Sequence, residues 1–234
     1  MKIHGLQKMT LLDYPGKVAC TVFFGGCDMR CPFCHNAELL DGSAPPVMDE
    51  QELLSFLKKR KGLLDGVAIT GGEPLLQKDL SSLLGRIRDL GYPVKLDTNG
   101  THPERLYSMI VKGLVQYTAM DIKNAPDRYA ETVGLSSFDM APVRESVSLL
   151  MEDRIDYEFR TTVVAELHDD NCFDQIGKWI RGAKRYYLQR FTDRNSVPFA
   201  GLHAPSDEQL FHWADMLRRD VPSTALRGVD TERM

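Results

Sequence analysis

Strand-like and helix-like segments alternate along most of this chain, and that alternation constrains its fold more than any other feature. Short apolar runs predict strands at residues 17–24, 66–70, 94–100, 114–123, 156–164 and 185–191. Between them, amphipathic stretches predict helices at 48–61, 80–91, 103–113, 140–153 and 171–183, the first with Asp49 as its N-cap. Such alternation indicates βαβ units and a parallel sheet. The periodicity is compatible with a partial barrel and with a flat, doubly wound sheet.

The length and charge of the chain limit the number of domains and the kinds of partner that we expect. We find no internal repeat or long linker in the 234 residues, so we expect one domain over 1–234, ending in an irregular segment with one helix and one short strand. A net charge of −4 gives no electrostatic reason to expect nucleic acid. The N-terminus lacks the apolar core of a signal peptide, and no apolar run approaches the length of a membrane span. We therefore predict a cytoplasmic protein with no membrane partner.

Four polar motifs follow predicted strands. They are GGEP at 71–74, DTNG at 97–100, MDIK at 120–123 and LQRF at 188–191. In (β/α) barrels and in open α/β sheets, ligands bind at the carboxyl ends of the strands. These motifs are therefore expected to meet at one site, although they are spread over residues 71–191.

Three of the five cysteines, Cys27, Cys31 and Cys34, lie within GGCDMRCPFCHN, directly after the first predicted strand. A reducing compartment disfavours a disulfide, and a redox pair at Cys31 and Cys34 leaves Cys27 without a role. Structural zinc requires four ligands, and His35 is poorly placed as the fourth because its neighbour Cys34 is already a ligand. An iron–sulfur cluster on three thiolates leaves one iron open to a small molecule.

The segment CDMRCPFC resembles the signature of the radical S-adenosylmethionine (radical SAM) superfamily, C-x3-C-x-aromatic-C, and GGEP resembles the second motif of that family. The resemblance implies a 4Fe–4S cluster bound by Cys27, Cys31 and Cys34, whose fourth iron binds S-adenosylmethionine. It also implies a partial (βα)6 barrel, with a core at about residues 15–191 and a C-terminal extension at 192–234.

Within that superfamily, the chain is similar to the activating enzymes of glycyl-radical enzymes. GKVACTVFFGGCDMRCPFCHN, DTNG and MDIK carry this resemblance, and LLDYPGK and LQRF are most similar to the activating proteins of anaerobic ribonucleoside-triphosphate reductase. A glycyl-radical partner, most closely that reductase, and an electron donor such as flavodoxin are thereby implied. The alternatives are an activase of another glycyl-radical enzyme such as pyruvate formate-lyase, and a radical SAM enzyme acting on a small molecule or RNA. A zinc or electron-transfer protein without catalytic activity is a further alternative.

The resemblance further implies contacts to S-adenosylmethionine from Phe33, Gly71, Gly72, Glu73, Asp97, Thr98, Asn99, Asp121 and Lys123. Arg160 and Gln189 are added as candidate contacts because of their positions on the predicted strands 156–164 and 185–191. Phe33 is expected beside the adenine, where an aromatic ring can contact the base. The backbone at Gly71 and Gly72 and the carboxylate of Glu73 are expected near the methionyl ammonium group. GGEP can also be an ordinary turn.

Charged residues at the other strand ends suit the polar parts of the cofactor. DTNG is interpreted as a ribose site or, with Asp121, as the site of a monovalent cation beside Asp97, although the same letters form ordinary turns. Lys123 suits the methionyl carboxylate, or it pairs with Asp121 in a salt bridge at the rim. Residues 158, 160 and 162 share one strand face, so Arg160 should point into the barrel and pair with a bound carboxylate or with Glu158.

The remaining cysteines and histidines receive structural interpretations. Cys20 and Cys172 are interpreted as buried apolar residues, which is common for free cysteine. His35 is expected to bond to the cysteine loop. The other histidines, His168 among them, are predicted at surface or loop positions.

Overall fold

The computed structural model describes residues 1–194 and 196–229. Its strands are β1 (Lys2–Ile3), β2 (Gly5–Thr10), β3 (Ala19–Phe24), β4 (Met48–Asp49), β5 (Gly66–Gly71), β6 (Val94–Thr98), β7 (Tyr117–Asp121), β8 (Asp156–Val163), β9 (Tyr186–Arg190) and β10 (Thr224–Arg227). Its α-helices are α1 (Glu50–Lys59), α2 (Leu80–Asp89), α3 (Pro103–Val111), α4 (Tyr129–Thr132), α5 (Ala141–Met151), α6 (Asp170–Trp179) and α7 (Asp207–Arg218).

Eight strands form the central sheet, in the order β10-β9-β8-β7-β6-β5-β3-β2. Strand β2 is antiparallel to β3, and the other neighbouring pairs are parallel. The predicted α/β fold with a mostly parallel sheet is confirmed. Strand β2 was not predicted from the sequence, because this edge strand is largely exposed and lacks the apolar run of a buried strand.

The sheet curves toward its inner face. Tyr14, which follows the edge strand β2, contacts Tyr117 of β7, with the two ring centroids 6.0 Å apart. Strands β2 and β7 are four positions apart in the sheet order, which corresponds to ~19 Å in a flat sheet. Contact across that span is expected of a sheet that bends into an open, partial barrel.

The outer face of the sheet is apolar and carries the helices. Val22, Ile69, Leu96, Met120 and Phe159 lie on successive strands and are fully buried in the main core. Burying a side chain of this size stabilises the fold by ~1.5–3 kcal/mol. Packing of these residues against the helices therefore fixes which side of each strand faces outward.

The helix starts follow local capping rules. The Asp49 carboxylate accepts a hydrogen bond from the Glu52 N–H at 2.9 Å, and the Glu52 side chain accepts one from the Asp49 N–H at 2.8 Å. This capping box confirms the predicted start of α1. Ser206 and Gln209 form a second capping box at the start of α7.

The inner face of the sheet is polar because side chains alternate along each strand. The residues between the outward-facing apolar ones include Thr21, Lys95, Asp97, Asp121, Glu158, Arg160 and Thr162. Several of them carry charge in a place with little access to water. They require partners within the barrel, which is the basis of the site described below.

The central sheet includes strands from outside the sequence range 15–191, one before it and one after it. Strand β2 precedes that range, and β10 pairs in parallel with β9, with Arg227 opposite Gln189. Helix α7 packs on β10 and on α6. In the part of the chain that the structure describes, no helix has both the length and the apolar character that crossing a membrane requires.

Candidate active site

A cavity of about 360 Å³ opens at the carboxyl ends of the parallel strands. The sequence-predicted residues that line it are Cys27, Cys31, Phe33, Cys34, Gly71, Gly72, Asp97, Thr98, Asn99, Asp121, Lys123, Arg160 and Gln189. Five different strands and the cysteine loop contribute to this set. The structure therefore brings together residues that are up to 162 positions apart in the sequence, from Cys27 to Gln189.

The cysteine loop follows β3 and is held by its own backbone. The Gly26 N–H donates to the Leu39 carbonyl at 2.7 Å, and the Cys27 N–H donates to the Leu40 carbonyl at 3.0 Å. All five cysteines of the chain are free. Cys20 and Cys172 are fully buried away from this loop, as the sequence analysis predicted.

The three loop cysteines form a set of buried thiols. Burial raises the pKa of Cys27 to about 12 and that of Cys31 to about 11, and it also raises the pKa of Cys34. Without a cation, these groups are therefore thiols near neutral pH. A bound metal centre would displace their protons, because metals bind the thiolate.

The two glycines of GGEP are required by close packing against the cysteine loop. A Cβ atom on Gly72 would lie 2.1 Å from the Gly26 carbonyl oxygen. A Cβ atom on Gly71, whose φ is +127°, would lie 2.2 Å from the Phe24 carbonyl oxygen. Only glycine allows the chain after β5 to approach the loop so closely.

Glu73 is fully buried behind the cavity wall and is absent from its lining. Its carboxylate accepts hydrogen bonds from the Leu75 N–H at 2.9 Å, the Asn99 N–H at 2.7 Å and the Thr98 hydroxyl at 3.0 Å. Burial raises the pKa of Glu73 to about 7, against the opposing effect of these bonds. The surroundings of Glu73 favour a role in holding DTNG against GGEP over the expected contact with an ammonium group.

A second carboxylate, Asp28, joins the cysteine loop to DTNG. It accepts hydrogen bonds from Asn99 Nδ2 at 2.7 Å and from the Thr101 hydroxyl at 2.5 Å, and His102 Nε2 lies 3.2 Å away. Burial would raise the pKa of Asp28, but interactions with His102, Thr101 and Asn99 outweigh it and lower the pKa to about 2. This cluster was not predicted from the sequence, although an acidic residue directly after Cys27 is a signal that could have indicated it.

The inner wall of the cavity is a network of charges. Arg160 donates from Nε to Asp121 Oδ1 at 2.9 Å, and its Nη1 lies 3.4 Å from Asp97 Oδ2. Lys123 Nζ donates to Asp121 Oδ2 at 2.8 Å, and Lys95 pairs with Asp97. Burial would raise the pKa of Asp121, but Arg160 and Lys123 lower it to about 2. Within this network the three cations outnumber the two carboxylates by one positive charge, which complements a single anionic group on a ligand.

The charge network bears on two expectations. A monovalent cation beside Asp97 and Asp121 stays a prediction: both carboxylates are paired with side-chain cations in the structure, so a bound cation would have to replace one of these pairs. Glu158, the alternative partner of Arg160, is instead bound by Arg227, with distances of 2.7 and 2.8 Å.

Two histidine predictions also change. In the described part of the chain, His35 makes no hydrogen bond to the cysteine loop. Its Nε2 lies 2.7 Å from the Thr192 carbonyl oxygen, and its ring stacks on Phe191. His168 lies in the loop between β8 and α6, as predicted, but it is not a surface residue: its side chain is 3% exposed and bonds to Val164 and to the Lys123 carbonyl. The burial of His168 could not be predicted from the sequence, because it results from packing against Phe173 of α6.

Further lining residues were not singled out by sequence. They include Asp13, Asn36, Thr70 and Thr162. Asn36 donates from Nδ2 to the Gly71 carbonyl at 3.1 Å, so the asparagine of CHN ties the cysteine loop to GGEP. Asp13 accepts a hydrogen bond from the Thr21 hydroxyl at 2.5 Å and reaches the cavity from the turn after β2.

The residues present fit an iron–sulfur cluster better than a single metal ion. In the described ranges, no three His, Cys, Asp or Glu side chains are grouped to hold one ion. The three thiols instead border one cavity, beside a loop that glycines allow to pack tightly. Three sulfur ligands without a fourth protein ligand suit a cluster that leaves one iron for a small molecule.

An α/β partial barrel with three thiols and a charged lumen at the carboxyl ends of its strands defines a cofactor-dependent enzyme of the α/β barrel class. The sequence matches the model of the Radical SAM superfamily over residues 21–172, and the chain belongs to that superfamily. Membership implies a 4Fe–4S cluster and S-adenosylmethionine as cofactors.

Individual relatives extend this comparison. A Methanocaldococcus jannaschii protein, provisionally named a glycyl-radical enzyme activating enzyme, is 29% identical over 97% of this chain and 96% of its own length. The pyruvate formate-lyase-activating enzyme of Clostridium pasteurianum is 34% identical over 54% of each chain. The solved structure of Streptococcus suis SuiB bound to precursor peptide SuiA covers 90% of this chain and 48% of SuiB, with a TM-score of 0.71 at 14% identity, which supports the fold alone.

Proposed function

We propose that this protein is a radical SAM activase that generates a glycyl radical on a partner enzyme. One observation carries the proposal: the three loop thiols and the DTNG and MDIK motifs, which the sequence links to activating enzymes, line a single cavity. Similarity over nearly the whole chain to a protein named as such an activase supports it. Strands β2 and β10 join the same sheet, so we also propose that the chain acts as one domain.

Cys27, Cys31 and Cys34 would hold the 4Fe–4S cluster, since they are the cysteines that border the cavity. When bound, the reduced cluster would supply one electron for cleavage of S-adenosylmethionine to methionine and a 5′-deoxyadenosyl radical, which would take the α-hydrogen of a glycine in the partner and become 5′-deoxyadenosine. The walls of the partial barrel restrict the access of water to the site, which protects a reactive intermediate from side reactions.

The side chains around the cavity would bind S-adenosylmethionine through its charges and its base. The excess positive charge near Lys123 and Arg160 complements the methionyl carboxylate. The backbone at Gly71 and Gly72 would approach the ammonium group, and Phe33, buried in the cysteine loop, would lie near the adenine. Asp97, Thr98, Asn99 and Gln189 complete the polar lining and would contact the ribose and the remaining polar atoms.

We propose anaerobic ribonucleoside-triphosphate reductase as the partner and flavodoxin or a similar protein as the electron donor. The motifs LLDYPGK and LQRF support that reductase. Pyruvate formate-lyase is the second candidate, because the Clostridium pasteurianum relative is named as the activating enzyme of pyruvate formate-lyase.

Electron paramagnetic resonance tests the proposed function and the choice of partner. The protein is reconstituted anaerobically with iron and sulfide, reduced with dithionite and mixed with S-adenosylmethionine and each candidate partner. We expect 5′-deoxyadenosine together with a glycyl doublet on the reductase and none on pyruvate formate-lyase. Cleavage without a doublet on either partner favours an enzyme acting on a small molecule or RNA. A colourless protein that makes no 5′-deoxyadenosine contradicts the proposed function.

A further inference from the structure

Glu158 is a carboxylate that cannot remain unpaired. It lies on the inner face of β8, and its side chain is 1% exposed. An uncompensated buried carboxylate is strongly destabilising. Arg160, two residues further along the same strand, points to the same side and is close enough to influence the charge of Glu158. The two residues are therefore potential partners on one strand.

The partner that Glu158 has in the structure comes from the other end of the chain. Arg227 of β10 donates from Nη1 to Oε1 at 2.7 Å and from Nη2 to Oε2 at 2.8 Å. The Tyr117 hydroxyl donates to Oε2 at 2.7 Å. The guanidinium carbon of Arg227 lies 3.5 Å from the centroid of the Tyr187 ring. A bidentate pair flanked by an aromatic face is a well-ordered arrangement for arginine.

The pairing of Glu158 with Arg227 affects which side chains carry charge at the cavity wall. Because Arg227 satisfies Glu158, the guanidinium of Arg160 is available to Asp121 and Asp97. Besides Arg227, the cation that lowers the pKa of Glu158 is Arg160, which lies on the same face of β8. Rotation of Arg160 toward Glu158 would leave Asp97 and Asp121 with less positive charge and would remove the excess positive charge that faces the cavity.

We propose that Arg227 is a positioning residue for the cofactor site: by binding Glu158, it keeps Arg160 on Asp121 and Asp97, where S-adenosylmethionine binds. This inference rests on the proposed function. It assigns to the C-terminal strand β10 a part in cofactor binding, although β10 contributes no side chain to the lining of the cavity.

The test compares Arg227→Met with the double variant Glu158→Gln/Arg227→Met. The single variant leaves Glu158 charged and without its partner, whereas the double variant removes the charge that would attract Arg160. Binding of S-adenosylmethionine to the reconstituted protein is measured by equilibrium dialysis, with iron and sulfide content and thermal unfolding measured in parallel. Arg154→Met is the matched control, because it removes an arginine from an exposed ion pair with Glu152.

We expect Arg227→Met to weaken S-adenosylmethionine binding by more than twofold and up to about thirtyfold, the range produced by changes within a coupled network, with iron content unchanged. The double variant should return to within about twofold of the wild type. Equal loss in both variants would show that Arg227 only stabilises the fold, and unchanged binding in the single variant would also overturn the inference. If Arg227→Met does not fold, failure of the double variant to bind S-adenosylmethionine contradicts the inference.

Binding of S-adenosylmethionine to the wild-type protein distinguishes a failure of this inference from a failure of the proposed function. If the wild type binds no S-adenosylmethionine after reconstitution, the proposed function fails. The link between Arg227 and Arg160 is then measured by unfolding of the apoprotein, using a double-mutant cycle of Arg227→Met and Arg160→Met in the presence and absence of Glu158→Gln. Coupling that disappears with Glu158→Gln supports the link, and coupling that persists contradicts it.

Discussion

The Glu73 carboxylate accepts a hydrogen bond from the Asn99 N–H at 2.7 Å, and this bond joins two motifs that lie on different strands. Glu73 follows β5 and Asn99 follows β6, so the bond fixes the relative position of the GGEP and DTNG loops. Asp28 connects DTNG to the cysteine loop in the same way. The mouth of the barrel is therefore held by carboxylates that lie behind or beside the cavity.

Replacing Glu73 by glutamine should change how stability depends on pH. The pKa of Glu73 is raised from 4.5 to about 7 in the folded protein, so the folded state binds more protons than the unfolded state between these values. The wild type should therefore lose about 3 kcal/mol of stability as pH rises through that window. Glu73→Gln lacks this loss, so its stability relative to the wild type should increase from pH 4.5 to pH 7.5.

Urea unfolding of the apoprotein across that pH range measures the effect. Glu145→Gln is the matched control, since Glu145 is exposed and its substitution should leave the pH profile unchanged. A stability difference between the wild type and Glu73→Gln that is constant with pH would contradict the prediction.

Gly72→Ala should destroy the cluster site. The added Cβ would meet the Gly26 carbonyl at 2.1 Å and Cys27 Cβ at 3.2 Å, so either the cysteine loop or the GGEP loop must move. We expect a loss of about 1–3 kcal/mol in stability and loss of most of the bound iron after reconstitution.

Gly85→Ala provides the comparison for Gly72→Ala. Gly85 lies in α2, and its added Cβ meets nothing within 4 Å. That variant should gain about 0.5–1 kcal/mol from helix propensity and keep its iron. Normal iron content in Gly72→Ala would show that the close contact of the two loops is dispensable.

Each single change of Cys27, Cys31 or Cys34 to alanine should abolish the cluster, because only three thiols border the cavity in the described structure. Iron and sulfide analysis and the visible absorption spectrum check this prediction. Cys172→Ala should keep the full iron content at a cost of about 1 kcal/mol in stability, since that thiol, on α6, is fully buried in the core. Retention of the cluster in Cys31→Ala would refute the assignment of the ligands.

Lys123→Met should weaken S-adenosylmethionine binding by roughly tenfold or more, because it removes the excess positive charge that complements the methionyl carboxylate. Iron content should stay near that of the wild type, which separates this variant from the cysteine variants. Lys59→Met, at an exposed position in the last turn of α1, is the control and should bind normally. Equal affinity in the two variants would place the methionyl carboxylate elsewhere.

Local sequence patterns predicted much of the fold and of the site. The strand and helix periods, the Asp49 cap and the position of motifs at strand ends depend on neighbours in the chain, so they can be read without a structure. The two-residue period also placed Glu158 and Arg160 on the inner face of β8. The resemblance of the cysteine loop to the radical SAM signature gave the family, which the match over residues 21–172 confirms.

Which groups pair inside the barrel was decided by the tertiary structure. Sequence placed a charge at Arg160, but its partners, Asp97 and Asp121, come from strands far away in the chain, and Glu158 is bound by Arg227, 69 residues further on. Likewise, Glu73 is turned away from the cavity because burial brings its carboxylate to the N–H groups of Leu75 and Asn99. The periodicity of a strand determines which side a residue faces, whereas the curvature of the sheet and the requirement to pair every buried charge determine what it meets there.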